Sequence, residues 1–357
     1  MGDCLPEEKL RPDHGGLPVP FGSRGRPQGN APADTAQPSV AVKPHAAPEV
    51  PEASEPMGAN LEPILREACA GRLSAVSWFR TDWQRGGALT GYADYTAGDG
   101  AAHRAVVKLP VPPGERLWLK RLQPYRDIVP QLHADGEALN GYDMAWLVME
   151  RCDFGPLGQA WDGGEFDLLV EAAGRFYLAA RDFHADAPTA PRDWDKILDQ
   201  SRGHIHKHDL AHEQRWKTAL KKAHRRLKEW SKTWSDRPTD GWCHGDLHPG
   251  NAMTRSGPPA GPAVLLDFAL THAGHWIEDA VYFEHLFWAR RQRLGGRKLC
   301  SQIAHERKKL GLKVESDWPR LASTRRALVA MSTPAFLQLD GDPHHVQACL
   351  EVLEAEV

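Results

Sequence analysis

The chain contains the stretch His244-Gly245-Asp246-Leu247-His248-Pro249-Gly250-Asn251, followed downstream by Leu265-Leu266-Asp267-Phe268. These two segments decide the fold, because their polar side chains stand in a fixed order around a predicted β-hairpin. Asp246 lies in the turn ahead of the hairpin, Asn251 stands where the first strand begins, and Asp267 ends the second strand. We therefore expect the hairpin to bring Asn251 and Asp267 together.

Residues of these types, in this order, are those that phosphoryl transfer requires. The reaction needs an aligned hydroxyl group, a bound triphosphate and positive charge near the developing negative charge. One carboxylate must accept or orient the hydroxyl proton, while an amide oxygen and a second carboxylate suit Mg²⁺ as hard ligands. A single aspartate in a turn usually serves turn formation or capping. The agreement of residue type, spacing, strand context and chain order instead favours phosphotransferase chemistry.

Three segments resemble the aminoglycoside phosphotransferase and choline kinase family: residues 244–251, residues 265–268 and Glu278-Asp279-Ala280. The spacing H-x-D-x-x-x-x-N, followed by a strand and D-F, is similar to the catalytic loop and D-F-G motif of kinase-fold enzymes. The resemblance implies a protein-kinase-like fold and ATP as the phosphoryl donor. It also implies that Asp246 is the catalytic base and that Asn251 and Asp267 are Mg²⁺ ligands.

A candidate for the lysine that neutralises the phosphates lies upstream. Val106-Val107-Lys108 resembles the strand lysine of the family, and Glu115 in the following predicted helix resembles its ion-pair partner. Two alternatives remain open from the sequence, since Lys120 could replace Lys108 and Glu137 could replace Glu115.

The remaining nucleotide contacts are predicted from weaker similarities. Met149-Glu150-Arg151 resembles the hinge whose backbone binds adenine, so Met149 and Arg151 are assigned to the nucleotide site. The sequence contains no G-x-G-x-x-G motif, and Gly86 and Gly87, with Gly91, would have to cover the phosphates. Alanine at position 269 replaces the D-F-G glycine and restricts φ there. The alternative function is therefore a catalytically silent kinase-like module that binds a nucleotide or a protein partner.

The hydrophobic patterning predicts an α+β, bilobal chain. Residues 1–58 are rich in Pro, Gly and Ala and are predicted to be a disordered tail, either a solvated extension or a partner-binding arm. Residues 59–152 should form an N-lobe with an antiparallel sheet and one helix, which binds the nucleotide. Residues 153–357 should form a mostly helical C-lobe that holds the catalytic loop and the acceptor site.

Composition narrows the class of partner. The 357 residues carry a formal net charge of −3, which argues against nucleic acid as a ligand of the chain as a whole. The six cysteines form no C-x-x-C pair, so the reducing cytoplasm is the expected location. No apolar run is long enough to span a membrane. The predicted partner is a small molecule with a hydroxyl group.

Several features concern the acceptor. Gly245 replaces the arginine of the H-R-D motif, and the short segment between Asp267 and Ile277 leaves no space for an activation loop, so a small molecule is favoured over a protein. The predicted helix from Ile277 to about Gln292 could bind a cationic or sugar acceptor through acidic and aromatic side chains, or those side chains could be core and bracing residues. They are Glu278, Asp279, Tyr282, Phe283, Glu284, Phe287 and Trp288.

Two further features have ordinary structural explanations. A basic amphipathic helix is predicted over residues 215–232, where a solvated charged face is favoured over an anion-binding or membrane-binding surface. His204, His206 and His208 alternate with other residues and could bind metal adventitiously, although no further ligand nearby in the sequence completes a site.

Overall fold

The computed structural model describes residues 55–79, 88–158, 163–185, 191–257, 261–337 and 342–357. The predicted tail up to residue 54 lies outside the described residues. Its predicted boundary at residue 58 is wrong, because helix α1 (Glu55–Ala68) already includes 55–58. This helix is stable in its tertiary context because Leu65 is fully buried in the core of the N-terminal sheet.

The N-terminal part is a five-stranded antiparallel sheet in the order β1-β2-β3-β5-β4. Strand β4 was not expected from the sequence, because all its residues are half-buried and show no alternation of apolar and polar side chains. Lys108 lies near the end of β3, opposite Leu147 of β5. The strands are β1 (Ser77–Phe79), β2 (Leu89–Thr96), β3 (Ala102–Leu109), β4 (Leu132–Gly136) and β5 (Trp146–Glu150).

Helix α2 (Pro113–Arg121) joins the sheet to the helical part. It begins with proline and carries Glu115 in its first turn and Lys120 and Arg121 in its last, the arrangement that the helix dipole favours. The Trp118 ring makes edge-on contacts with aromatic rings of the helical part, among them Phe176. Glu115 faces inward as a result.

The C-terminal part is mostly helical, with two short two-stranded antiparallel sheets on either side of the predicted catalytic segment, residues 244–251. One sheet pairs β6 (Gly241–Cys243) with β9 (His272–Gly274), and the other is the hairpin of β7 (Ala252–Thr254) and β8 (Ala263–Leu265). The helices are α3 (Gly164–Ala180), α4 (Trp194–Lys207), α5 (Glu213–Ser235), α6 (Ile277–His285), α7 (Leu299–Lys309), α8 (Trp318–Phe336) and α9 (Pro343–Glu356). The fold is thus α+β and protein-kinase-like, with an antiparallel sheet followed by a helical part, as predicted.

The predicted helix over 277–292 is too long. Helix α6 ends at His285, and the chain continues as 3-10 turns over Trp288–Leu294, where Arg290 has the non-helical angles φ −134° and ψ 45°. Aromatic side chains from both segments are buried, so the hydrophobic pattern continued beyond the point where the helix ends.

Helix α5 has the amphipathic form that its sequence predicts. Its apolar face, which includes Trp216, Leu220 and Leu227, is buried in the helical core. Its basic residues therefore form a charged outer face, which agrees with the interpretation as a solvated face that the sequence favours over an anion-binding or membrane-binding surface. Within the described part of the chain, no helix is both long enough and apolar enough to cross a membrane.

Candidate active site

The catalytic segment begins where β6 ends, with a glycine that tolerates no substitution. Gly245 has a φ of +84°, in the left-handed region, and a Cβ atom at this position would lie 2.1 Å from the carbonyl oxygen of Leu270. The tight approach brings the turn that carries Asp246 against the segment that follows Asp267. A side chain at position 245 would push the two apart.

Asp279, in the first turn of α6, holds this turn in place. Its Oδ2 accepts 2.8 Å and 2.9 Å hydrogen bonds from the backbone N–H of His244 and the hydroxyl of Tyr177, and its Oδ1 accepts a 2.8 Å bond from the N–H of Gly245. Burial raises the pKa of Asp279 above its ordinary value, although the two N–H donors favour its charged form. Asp279 is therefore a bracing residue and is shielded from solvent.

The Asp246 carboxylate lies among three polar side chains. Tyr282 donates a 2.6 Å hydrogen bond to Oδ1, and the Asn251 amide donates a 3.0 Å bond to Oδ2. His248 Nε2 lies 3.6 Å from Oδ1, and because Nδ1 of that ring accepts from the Gly250 N–H, Nε2 carries the ring proton. Burial alone would raise the pKa of Asp246, but His248 and Tyr282 hold it below its ordinary value. The carboxylate is thus ionised at neutral pH.

Asn251 and Asp267 meet at the open end of the β7–β8 hairpin, as the sequence predicts. The backbone N–H of Leu266 donates a 2.9 Å bond to the carbonyl oxygen of Asn251, which places position 267 beside it. Asp267 adopts a left-handed conformation with φ 59°, an uncommon geometry that aspartate tolerates better than most residues. Ala269 lies in the 3-10 turn Phe268–Leu270, so this chain does not need a glycine at that position.

Strand β3 of the sheet contributes a lysine that lies beside Asp267. Lys108 Nζ lies 2.6 Å from Glu115 Oε1 and 3.5 Å from Asp267 Oδ1. Burial disfavours the ammonium group, but the two carboxylates raise the pKa of Lys108 above its ordinary value. The alternatives are engaged elsewhere, since Lys120 contacts Asp135 at 3.1 Å and Glu137 contacts Arg116.

The other proposed nucleotide residues have mixed outcomes. Met149 lies in β5, opposite Val106, and packs partly buried against the core. The N–H of Arg151 donates a 3.0 Å bond to the Arg104 carbonyl, so this backbone donor of the predicted hinge is already paired within the protein. The guanidinium of Arg151 lies 3.7 Å from the centre of the Tyr92 ring.

The expected glycine contacts are not supported by the described residues. Gly86 and Gly87 lie outside them. Gly91 does not cover a phosphate site: it lies within β2, and a Cβ there would approach Val76 Cγ1 to 2.4 Å. Its small size permits close packing between neighbouring strands.

Of the two interpretations of α6 and the following segment, acceptor binding does not hold for most of the side chains involved. Phe283, Phe287 and Trp288 are buried in the helical core. Glu284 receives two hydrogen bonds from Arg326, of 2.6 Å and 2.9 Å, and Glu278 pairs with Arg237 at 3.0 Å. The core and bracing interpretation of these residues is the correct one.

Two residues near Asp246 were not assigned to the site from the sequence. The sequence assigns His248 no role in the site, and it offers Tyr282 only as one of several possible acceptor contacts. A signal for Tyr282 was present, because it lies three residues after Asp279 and residues at that spacing share one face of a helix. His248 carried no comparable signal, since a histidine in a loop has many possible contacts.

The antiparallel sheet, the helical part and the catalytic segment between them define a kinase-like phosphotransferase. The sequence model of the phosphotransferase enzyme family, APH, matches residues 90–320, and the chain belongs to this family. Enzymes of this class are small-molecule kinases, so the chain is a phosphotransferase with an alcohol group as acceptor. No protein among the curated sequences matches the chain.

Solved structures show the same fold at low sequence identity. An aminoglycoside phosphotransferase from Alicyclobacillus acidocaldarius subsp. acidocaldarius DSM 446 is 16% identical, with a TM-score of 0.53, and the match covers 87% of this chain and 93% of that chain. A microcompartment-associated aminopropanol kinase is 12% identical, with a TM-score of 0.52, over 83% of this chain and 95% of that chain. These similarities concern the fold.

Proposed function

We propose that this phosphotransferase moves the γ-phosphate of Mg-ATP to a hydroxyl group of a small molecule. The observation that carries the proposal is the 3.5 Å separation of Lys108 Nζ and Asp267 Oδ1. This contact places a phosphate-neutralising cation from the sheet beside a carboxylate from the catalytic hairpin. ATP phosphates would then lie in the cleft between the sheet and the helical part, facing Asp246.

In this proposal Asp246 binds the acceptor hydroxyl and orients its oxygen toward the γ-phosphorus. As the new P–O bond forms and the bond to the ADP oxygen breaks, the hydroxyl proton passes to a carboxylate oxygen of Asp246. Tyr282 and Asn251 fix the carboxylate through opposite oxygens, which limits its rotation. Lys108 offsets negative charge on the phosphates, and Glu115 holds its ammonium group in position.

Asn251 and Asp267 suit Mg²⁺ by the chemistry of their donors. The Asn251 amide nitrogen already donates to Asp246, which leaves the amide oxygen as the available ligand atom, and the Asp267 side chain is 41% exposed. An amide oxygen and a carboxylate are hard ligands of the kind that Mg²⁺ prefers. When bound, the ion would neutralise charge on the phosphates.

The acceptor candidates are amino sugars, choline-like alcohols and sugars. A small acceptor is supported by the short path from Asp267 to α6, which is filled by a 3-10 turn and strand β9. Because Glu278, Asp279 and Glu284 are engaged with protein groups, recognition of a cationic acceptor would depend on other residues. The cytoplasm remains the proposed location, supported by the five described cysteines, all of which are free and buried.

The test is ATP turnover with a panel of these three acceptor types, in Mg²⁺ and in chelator. Asp246→Asn should lower kcat by about 10²–10⁴-fold while leaving the melting temperature near that of the parent. Asp195→Asn, at an exposed position in α4, is the matched control and should retain activity. Unchanged transfer in Asp246→Asn would contradict the role of the base. ATP binding without Mg²⁺ dependence, and without transfer to any acceptor, would favour the silent module.

A further inference from the structure

A second group of polar side chains lies outside the cleft, where α6 meets α9. It contains His285, the last residue of α6, together with His345 and Cys349 of α9. The two histidines are each 7% exposed and the cysteine is fully buried. We call this group the histidine–cysteine cluster.

The three side chains converge on one point. His345 and Cys349 are four residues apart, so they lie on the same face of α9, and His285 approaches that face from α6. Nε2 of His345 is 3.1 Å from Nε2 of His285 and 3.3 Å from Sγ of Cys349. All three atoms lie within 4.8 Å of one another.

Hydrogen bonds cannot satisfy both contacts of His345 well. Its Nε2 has one lone pair or one proton, yet it faces both the His285 ring nitrogen and the cysteine sulfur. A ring nitrogen that faces both a second ring nitrogen and a sulfur is a poor arrangement for hydrogen bonding. It is the arrangement expected of three ligand atoms around one metal ion.

The two separations that involve His345 agree with metal coordination. Zn–N bonds of about 2.0–2.1 Å and a Zn–S bond of about 2.3 Å, at tetrahedral angles, separate two nitrogens by about 3.3 Å and nitrogen from sulfur by about 3.5 Å. The observed separations of 3.1 Å and 3.3 Å differ from these by a few tenths of an ångström. The ligand atoms of His285 and Cys349 lie within 4.8 Å of each other, and admitting an ion requires that this third separation become about 3.5 Å.

We propose that His285, His345 and Cys349 bind a transition-metal ion of the Zn²⁺ class. Two imidazole nitrogens and one sulfur form a borderline-to-soft ligand set, which favours Zn²⁺ over the Mg²⁺ of the phosphoryl-transfer site. Binding converts the Cys349 thiol into a metal-bound thiolate and releases its proton to solvent.

The proposed ion would connect the C-terminal helix to the helix that braces the active site. His285 lies three residues after Tyr282 on α6, and its ring centroid is 6.1 Å from that of Tyr282. Because only the folded chain brings α6 and α9 together, an ion at this position adds to the free energy of unfolding. The site would be structural, since none of its ligands contacts Asp246.

The experiment uses the full chain, stripped with a chelator and kept in excess Mg²⁺ so that the cleft does not compete. Calorimetric titration with Zn²⁺ should show one equivalent bound, and the melting temperature should increase until that equivalent is reached. Co²⁺ should produce ligand-field bands and a sulfur-to-cobalt charge-transfer absorption. That absorption reports directly on Cys349 as a ligand.

Variants separate this cluster from other metal-binding groups. Cys349→Ala should abolish the charge-transfer absorption. His345→Gln should weaken Zn²⁺ binding at least about tenfold, since mutating even the residues that hydrogen-bond to metal ligands lowers metal affinity by that factor. His206→Ala removes an exposed histidine of α4 and should bind as the parent does. Asp267→Asn, which alters the cleft, should also leave Zn²⁺ binding unchanged.

Either of two outcomes would overturn the proposal. One is the absence of stoichiometric Zn²⁺ binding to the stripped parent chain. The other is undiminished Zn²⁺ binding in both His345→Gln and Cys349→Ala, and its loss in His206→Ala would then identify an adventitious surface site. The melting curves of the variants without metal establish that each is folded, so a loss of binding is not confused with a loss of structure.

Discussion

The hydroxyl of Tyr282 donates a 2.6 Å hydrogen bond to Oδ1 of Asp246. Asp279, one helical turn earlier on α6, accepts the backbone hydrogen bonds that hold His244 and Gly245. One helix therefore fixes both the backbone of the catalytic turn and the orientation of the carboxylate in it. The first predictions concern these contacts.

Replacing Tyr282 with phenylalanine removes a donor that lowers the pKa of Asp246. A base acts when deprotonated, so activity falls as pH drops through its pKa. With that pKa higher in the variant, the acid limb of kcat/KM should move to higher pH. We expect kcat at neutral pH to fall about tenfold, which corresponds to a loss of about 1.4 kcal/mol of transition-state stabilisation. A pH–rate profile measures both effects.

Tyr125→Phe is the control for that profile. Tyr125 donates a hydrogen bond of 2.5 Å to Asp182, which is another tyrosine–aspartate pair, at an exposed position. Its removal should leave the acid limb in place. An acid limb that is identical in Tyr282→Phe and in the parent would show that Tyr282 does not influence the base.

Replacing Glu115 with glutamine should weaken the use of ATP. The substitution removes the carboxylate that lies 2.6 Å from Lys108 Nζ, so the ammonium group loses its fixed position. We expect KM for ATP to rise about tenfold, which corresponds to about 1.4 kcal/mol of binding. Glu137→Gln, which alters the exposed partner of Arg116, should leave KM unchanged. Equal values of KM in the two variants would argue against the role assigned to Glu115.

Asp279→Ala should destabilise the chain as well as slow the reaction. Alanine leaves the buried N–H of His244 and the partly buried N–H of Gly245 without acceptors, at an expected cost of about 3 kcal/mol in the free energy of unfolding. Tyr177→Phe removes only one donor to the same carboxylate and should cost about 1 kcal/mol. Denaturant unfolding compares the two. Similar stabilities for both variants and the parent would contradict the bracing role.

Gly245→Ala should disrupt the catalytic turn. The positive φ costs about 1–2 kcal/mol for alanine, and the contact with the Leu270 carbonyl forces the backbone to move. We expect a lower melting temperature and a large loss of kcat. Gly203→Ala is the control, because this glycine is exposed within α4 and a Cβ there contacts nothing within 4 Å. It should stabilise the chain by about 0.5–1 kcal/mol.

Local sequence predicted those parts of the site that depend on order along the chain. Asp246, Asn251 and Asp267 could be placed together because a hairpin joins positions that are close in sequence. The pairing of Lys108 with Glu115 was also predicted, since β3 and α2 are consecutive elements. The sequence left Lys120 and Glu137 as alternatives to this pair. In the structure both are engaged elsewhere, since Lys120 contacts Asp135 and Glu137 contacts Arg116, which itself pairs with Asp135.

Other features depend on contacts between distant segments. Strand β4 forms because β5 pairs with it, and α6 ends at His285 although the apolar pattern continues. Arg326 reaches Glu284 from α8, which removes that carboxylate from any role in acceptor binding. No local pattern in the sequence encodes these pairings, since each requires two elements that meet only after packing.

By itself, the sequence predicted the kinase-like class of this protein through the resemblance of its motifs, and it predicted that three polar residues meet at one hairpin, because turn chemistry and strand periodicity are local properties. Only the tertiary structure decided that Tyr282 and His248 contact Asp246 and that the acidic residues of α6 are bracing residues. It also decided that His285 meets His345 and Cys349. The physical reason is that a side chain's partners are selected by burial and packing, which bring together residues far apart in the chain.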